Sequence, residues 1–266
     1  MLVSHESPIQ LLDVSRGYND YDYALVHLFE EQEKYYKFFK QSLRLKRTVY
    51  LDNSIFELKE SFDPGKYIDW ILKLKPTLYI VPDVLEDCDG TIAQFEEWES
   101  KFNPKIDFNV IKMGVVQGQD WSDLVRCYRY MSEHADMIAI SFDYSYYNYT
   151  AEGKTALERM CSGRQRFIQH LVEEGIWNKN KPHHLLGCSL AREFNKYTSP
   201  RYKNIVSVDT SNPVVAAIRR KQYKPYIGLD NKPSVLLADL IEEELDTEQL
   251  RLVEYNTAEF KKIINR

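Results

Sequence analysis

At 266 residues the chain is long enough to bury a sizeable core, and it fits one large domain or two small ones. A formal net charge of −5 excludes a uniformly basic, polyanion-binding surface, so any nucleic-acid contact has to come from a local patch. No apolar run approaches the roughly 18 residues of a membrane span, and the first residues, with His5 and Glu6, lack a signal-peptide pattern.

In chain order, the apolar run 9–14 stopping at Ser15-Arg16-Gly17 predicts a first strand. Residues 23–40 carry Leu25, Leu28, Phe29, Tyr36 and Phe39 at helical spacing. Residues 48–52 predict strand two. Asp63-Pro64 then opens a helix to 74, with the acid as N-cap and proline at the first helical position. Strands three (77–83), four (109–117) and five (137–143) follow, separated by helices at 89–100 and 121–133. A tyrosine-rich loop holding Tyr144, Tyr146, Tyr147 and Tyr149 leads to a long amphipathic helix, 155–174, closed by Gly175. Strand six is 183–188 and strand seven 204–209; a short helix spans 214–220. Residues 226–229 are a candidate eighth strand, and the acidic segment from 235 predicts one or two closing helices packed on the same domain.

The predicted strands are apolar throughout rather than alternating, as strands covered on both faces are. With helices between them, they predict a single α/β domain of the (β/α)8 TIM-barrel type over residues 1–266. The alternative is a doubly wound open sheet. It would be expected to carry a Gly-rich phosphate turn after strand one, where this chain has Ser15-Arg16-Gly17-Tyr18.

In such a barrel the site is built at the carboxyl ends of the strands. Those ends deliver Asp52, Asp83, Gln117 with Gly118, Asp143, Gly187 with Cys188, and Asp209. Each aspartate alone is explained by Asx turns and helix caps; four together suggest a site. Several acids without a lysine or histidine base suit nucleophilic and acid/base work at a sugar carbon, Mg²⁺ binding, or reading of a base by accepting hydrogen bonds. Lys112 lies within strand four, before the strand end a Schiff-base lysine would occupy. Cys88, Cys127, Cys161 and Cys188 show neither CxxC nor zinc spacing, which predicts reduced thiols, a cytoplasmic protein and no metal. His183 and His184, as strand neighbours, point to opposite faces and so do not share a metal.

The order of these strand ends resembles the tRNA-guanine transglycosylases, the queuine/archaeosine base-exchange enzymes. Their Asp-Ser-Gly-Gly-aromatic-Gln segment is similar to Asp52-Asn53-Ser54-Ile55-Phe56-Glu57. Their base-recognising aspartate corresponds to Asp83 in Ile80-Val81-Pro82-Asp83, and their Gly-(Ile/Val)-Val-Gln-Gly to Gly114-Val115-Val116-Gln117-Gly118. His184-Leu185-Leu186-Gly187 looks like their (Tyr/His)-Leu-(Met/Leu)-Gly, and Asp209 in Val206-Ser207-Val208-Asp209 like their nucleophile. The resemblance is collinear from Asp52 to Pro213.

It implies a double displacement at C1′ of a guanosine nucleotide without a cofactor. Asp209 is the implied nucleophile and Asp52 the general acid/base. The implied base contacts are Asn53, Ser54, Phe56, Asp83, Gln117, Gly118, Asp143, Leu186 and Gly187. The target nucleotide leaves its stack, with Arg192, Lys196, Arg201, Lys203, Arg219 and Arg220 as candidate backbone contacts and the loop tyrosines as stacking candidates.

The departures narrow the substrate. The family's tRNA enzymes carry a CxCxxC-based zinc subdomain after the nucleophile, and no cysteine follows Cys188 here. Ser54, Ile55 and Glu57 replace two glycines and a glutamine, and Ser141-Phe142-Asp143 replaces a Gly-rich turn. Such reduction looks like the phage and bacterial relatives that insert 7-deazaguanine bases into DNA. The expected partners are therefore DNA (or tRNA) and a free 7-deazapurine, in the cytoplasm of a bacterium or a phage-infected host. A nucleoside N-glycosidase and a non-catalytic nucleic-acid-binding homologue are the other readings.

Overall fold

The computed structural model describes residues 1–233, 235 and 237–266. Its strands are β1 (Leu2–Ser4), β2 (Asp22–Leu25), β3 (Val49–Asp52), β4 (Leu78–Ile80), β5 (Ile111–Val115), β6 (Met137–Ser141), β7 (His183–Leu186) and β8 (Ile205–Asp209). They form one sheet in the order β1-β8-β7-β6-β5-β4-β3-β2, with parallel registers. The helices between them are α1 (Leu12–Tyr18), α2 (Leu28–Glu31), α3 (Glu33–Arg44), α4 (Ile55–Leu58), α5 (Pro64–Leu74), α6 (Cys88–Glu97), α7 (Trp121–His134), α8 (Ser145–Thr150), α9 (Ala156–Glu173), α10 (Asn212–Ile218) and α11 (Thr247–Ile264). Parallel strands alternating with helices in this order are the (β/α)8 class of the TIM-barrel type.

Three expectations are corrected. Residues 9–14 are not a strand: a 3-10 turn, Ile9–Leu11, runs into α1. Leu11, Leu12 and Ser15 are buried while Val14 is 57% exposed, a helical pattern that a six-residue apolar run disguises. The first strand is instead Leu2–Ser4. Residues 23–40 are not one helix, because β2 occupies Asp22–Leu25 before α2 begins. Residues 226–229 make only an isolated antiparallel bridge between Lys224 and Gly228. Asp52 therefore ends the third strand, and each later strand moves up by one. The closing segment contributes a 3-10 turn at Ala238–Leu240 and α11; its position 236 lies outside the described residues.

Backbone contacts divide the chain into two compact units, residues 21–140 and residues 1–20 with 141–266. In the first, Tyr67 is fully buried between α5 and the sheet. Its hydroxyl lies 2.9 Å from Leu51 O and 3.0 Å from Ile80 O, so a large aromatic is accommodated with its polar atom met. Asp63 caps α5 by accepting from the Lys66 N–H, with Pro64 at its first position. In the second, Val214, Val215, Ala217 and Ile218 of α10 pack with Leu252 and Val253 of α11 around Leu11 and Leu240. Thr155 and Glu158 form a capping box at the start of α9.

One irregularity decides the orientation of the second unit's polar residues. His183 is level with Ile205, but His184 is level with Ser207, so β8 carries one extra residue, Val206. A regular register would set His184 against Val206 and turn Ser207 and Asp209 to the other face. The bulge brings Ser207, and with it Asp209 two residues on, to the face His184 uses.

Candidate active site

In the unit 21–140, the carboxyl ends of β3, β4 and β5 meet in one hydrogen-bonded cluster. Asp83 is 1% exposed. Its Oδ1 accepts from Asn53 Nδ2 at 2.7 Å and its Oδ2 from Gln117 Nε2 at 2.6 Å. Asn53 and Gln117 are fixed in turn: Asn53 Oδ1 accepts from the Ile55 N–H at 3.0 Å, and Gln117 Oε1 from the Glu86 N–H at 2.9 Å. Those bonds assign the orientation of both amides. Burial pushes the Asp83 carboxyl up to about 6, against the opposing pull of the Gln117 and Asn53 donors. Both oxygens keep a second lone pair, so the carboxylate can accept two further N–H groups from a ligand.

Asp52 sits beside this cluster at the end of β3, half-buried. Tyr23 OH donates to its Oδ2 and the Ser54 N–H to its Oδ1. Tyr23 comes from β2, where Leu25 is level with Asp52. Ser54 is buried with φ +60°, a left-handed conformation at which a side chain is strained. Glycine would adopt it freely, and glycine is what the resembled motif carries there. Phe56 is half-buried on α4 with Lys59 Nζ 4.6 Å from its ring centre. Gly118 is explained by packing: a Cβ there would lie 2.7 Å from Asp123 Cβ and 2.8 Å from Leu124 N, at the start of α7. Lys112 is committed to Glu99, 2.9 Å from both carboxylate oxygens.

In the other unit Asp209 ends β8, 5% exposed. Its Oδ1 accepts from His184 Nε2 at 2.9 Å and from the Gly187 N–H at 3.1 Å. Among the described residues, Oδ2 has no hydrogen-bond partner. His184 Nδ1 lies 2.8 Å from Ser207 Oγ. A neutral imidazole with its proton on Nε2 satisfies both contacts, donating to Asp209 and accepting from the serine hydroxyl. His183, its neighbour, faces the other way. It stacks on Trp177 at 3.7 Å, and burial lowers its pKa to about 3. The opposite-face expectation for the two histidines holds. Among the described residues, no group of three or more His, Cys, Asp or Glu could hold a metal ion.

Gly187 has φ +64°, and a Cβ there would lie 2.5 Å from Phe142 Cδ1. Phe142 in turn lies under Lys232, whose Nζ is 4.6 Å from the ring centre and 3.4 Å from Cys188 O. Burial lowers the Lys232 pKa, with Cys188, Asp143 and Glu6 acting in the opposite direction. Asp143 is half-buried and accepts from Ser141 Oγ at 2.9 Å. The predicted tyrosine-rich loop is instead a helix, α8, with Tyr144 at its N-cap. Tyr144 and Tyr147 are core residues and Tyr146 is half-buried, while Tyr149 is 84% exposed.

The six cations assigned to a nucleic-acid backbone fall on three segments, the 3-10 turn Ala191–Lys196, residues 201–203 and the end of α10. Arg192 pairs with Glu158 at 3.0 Å, and Arg220 with Asp246 and Glu248. Arg201 and Lys203 lie before the start of β8 at Ile205, itself about 13 Å along the strand from Asp209 at roughly 3.3 Å per residue. Arg219 and Arg220 follow the end of α10, which starts beyond Asp209. Lys196 closes a 3-10 turn, Ala191–Lys196, between β7 and β8. Arg192 stands nearest to Gly187 in sequence.

Sequence reasoning names His184 and Ser207 only as members of motifs, without the contacts that link Ser207 to His184 and His184 to Asp209, and misses Lys232. Ser207 stands two residues before Asp209, on the same face of a strand, which is a usable signal. Lys232 lies in a segment without periodicity and offers none.

No protein-family model matches the chain, and no curated protein matches it.

Proposed function

We propose that the chain is a guanine base-exchange transglycosylase that inserts a 7-deazaguanine base into DNA by double displacement at C1′. One observation carries the reading. Asp209 ends a strand with one oxygen held by His184 and the Gly187 N–H, and among the described residues its other oxygen has no partner. A carboxylate held in this way presents one oxygen in a fixed direction, as a nucleophile at a sugar carbon requires.

In the first displacement Asp209 Oδ2 bonds to C1′ as the C1′–N9 bond breaks. The electron pair leaves with guanine, whose nitrogen takes a proton from the general acid. In the second, the incoming base gives its N9 proton to the resulting carboxylate. N9 then bonds to C1′, and the bond to Asp209 breaks. Asp52 is the acid/base of this scheme. It is held by Tyr23 and the Ser54 N–H, with Ser54 in the backbone conformation that glycine takes for free. The Asp83 carboxylate, with Asn53 and Gln117 fixed around it, suits the N1–H and N2–H donors of a guanine edge, which 7-deazaguanine shares. DNA is preferred to tRNA on the sequence ground that residues 210–266, directly after Asp209, carry no cysteine where the resembled tRNA enzymes carry CxCxxC.

The experiment is incubation with labelled guanine and separate DNA and tRNA acceptors, for the parent chain and Asp209→Asn. The expected result is label in DNA with the parent chain and a loss on the order of 10⁴-fold in the variant. Label in tRNA alone would keep the chemistry and overturn the acceptor. Exchange unchanged in Asp209→Asn, or none into either acceptor, would overturn the reading.

A further inference from the structure

Cys161, Arg164, Phe167, Ile168 and Leu171 make the buried stripe of α9. Arg164 is an anomaly in it: a fully buried guanidinium that keeps its charge at any accessible pH. Its charge is met by Glu193, equally buried, with Nε 2.6 Å from Oε1 and Nη2 3.0 Å from Oε2. Glu193 is held in turn by Tyr197 OH at 2.8 Å, and its backbone carbonyl accepts from Gln165 Nε2 at 2.7 Å. The guanidinium has donors beyond the carboxylate, and these go to the end of β7. Nη1 donates to Leu186 O at 2.8 Å and Nη2 to Gly187 O at 3.0 Å.

The Leu186–Gly187 peptide is trans, so its C=O and N–H point in opposite directions. With the carbonyl drawn to Arg164, the N–H is directed away from it, to Asp209 Oδ1 at 3.1 Å. The left-handed φ of Gly187 lets the next carbonyl turn to the same guanidinium. A buried ion pair adds little net stability over apolar residues of the same volume, because both charges must be stripped of water. Stability alone is thus a poor account of a charge in this stripe, and the two carbonyls it holds are a better one.

We propose that Arg164 and Glu193 are positioning residues for Asp209, holding the Leu186–Gly187 peptide in the orientation that aims the Gly187 N–H at the carboxylate. The proposal rests on Asp209 being the nucleophile of the exchange reaction. It assigns the pair no contact with substrate; the effect passes through one peptide plane. Glu193 keeps the N–H edge of the guanidinium turned to the two carbonyls, and a lysine cannot replace that fork, since its single ammonium does not span both carbonyls and the carboxylate.

The test compares the full-length parent, Arg164→Lys, and the charge-free double variant Arg164→Met/Glu193→Gln, which leaves no unpaired buried ion. Two readouts are taken: kcat and KM for guanine exchange, and the hydrogen-exchange rate of the Gly187 amide by NMR. In both variants kcat is expected to fall on the order of 10²-fold with KM for the free base little changed. The Gly187 amide is expected to exchange roughly tenfold faster or more, an acceleration also expected of Asp209→Ala. Folded variants with parental kcat and a parental Gly187 amide rate would overturn the proposal. Should the double variant not fold, Arg164→Lys decides alone, since it keeps the charge and most of the packing. The amide readout needs no turnover. A parent without exchange activity therefore sinks the transglycosylase reading, whereas an unchanged Gly187 amide in Arg164→Lys sinks the positioning role.

Discussion

Asp83 shows how a single buried group writes itself into the pH dependence of the fold. Its carboxyl is pushed up to about 6 in the folded chain, from an ordinary value of 3.8. Between those values the folded state holds a proton that the unfolded state has released. Stability therefore falls as pH rises through this window, by roughly 3 kcal/mol at most, and levels off above it. Asp83→Asn removes the titration. Its amide meets the N–H of either Asn53 or Gln117 and so forgoes one hydrogen bond. Urea unfolding midpoints from about pH 4 to pH 7 are expected to show the parent losing stability relative to Asp83→Asn as pH rises. Parallel profiles would show that Asp83 does not titrate there. Asp83 is legible in the sequence because it ends an apolar strand. Its grip on Asn53 and Gln117 is not, since hydrogen bonds between residues 30 and 34 apart leave no local pattern.

At the level of elements, legibility follows strand length and local punctuation. From 48 to 209 the main strands and long helices read correctly, because Asp63-Pro64, Thr155 with Glu158, and Gly175 mark helix ends by their own chemistry, while the short helices α4 and α8 do not. The first fifty residues do not. β1 has three residues, and β2 opens on an acid, which argues against a buried strand in any local reading. Asp22 is nonetheless 1% exposed, and its partner explains it: Arg47 reaches it from just before β3, with Nε 2.8 Å from Oδ2 and Nη2 2.9 Å from Oδ1. Arg47→Ala leaves a buried carboxylate unpaired and is expected to destabilise the fold by about 3 kcal/mol; Asp22→Asn in the same background should recover part of that. A loss under about 1 kcal/mol in denaturant melts of Arg47→Ala would mean that water reaches Asp22 and that β2 is less well covered than its geometry states. Arg164 teaches the converse. Its place on the apolar stripe of α9 is visible in the helical spacing, and a charge on such a stripe is itself a signal of a buried partner.

For the whole molecule, the net charge of −5 bears on nucleic-acid binding more than any single cationic run does. Association with DNA releases counterions in proportion to the phosphates neutralised, so the salt dependence of affinity counts those contacts. Six backbone cations stand out in the sequence, and two of them are committed to acids. Arg192 and Arg220 are paired with acids, Arg201 and Lys203 lie at the entry end of β8, and Arg219 lies beyond α10. Linear spacing could not reveal this, because a run of charges between two strands covers the whole path from one end of a strand to the other. If the chain binds duplex DNA as proposed, two or three phosphate contacts are expected, giving a slope of log K against log salt of about −2 to −3. Fluorescence anisotropy with a labelled duplex between about 50 and 300 mM salt measures it. Replacing Arg201, Lys203, Arg219 and Lys196 by glutamine should then change the slope by less than about 1. A parent slope near about −6 that falls by about 4 in that variant would restore the six-cation interface. It would require those side chains to face the same DNA from three segments of the chain, and would move the docking surface away from the strand end that carries Asp209.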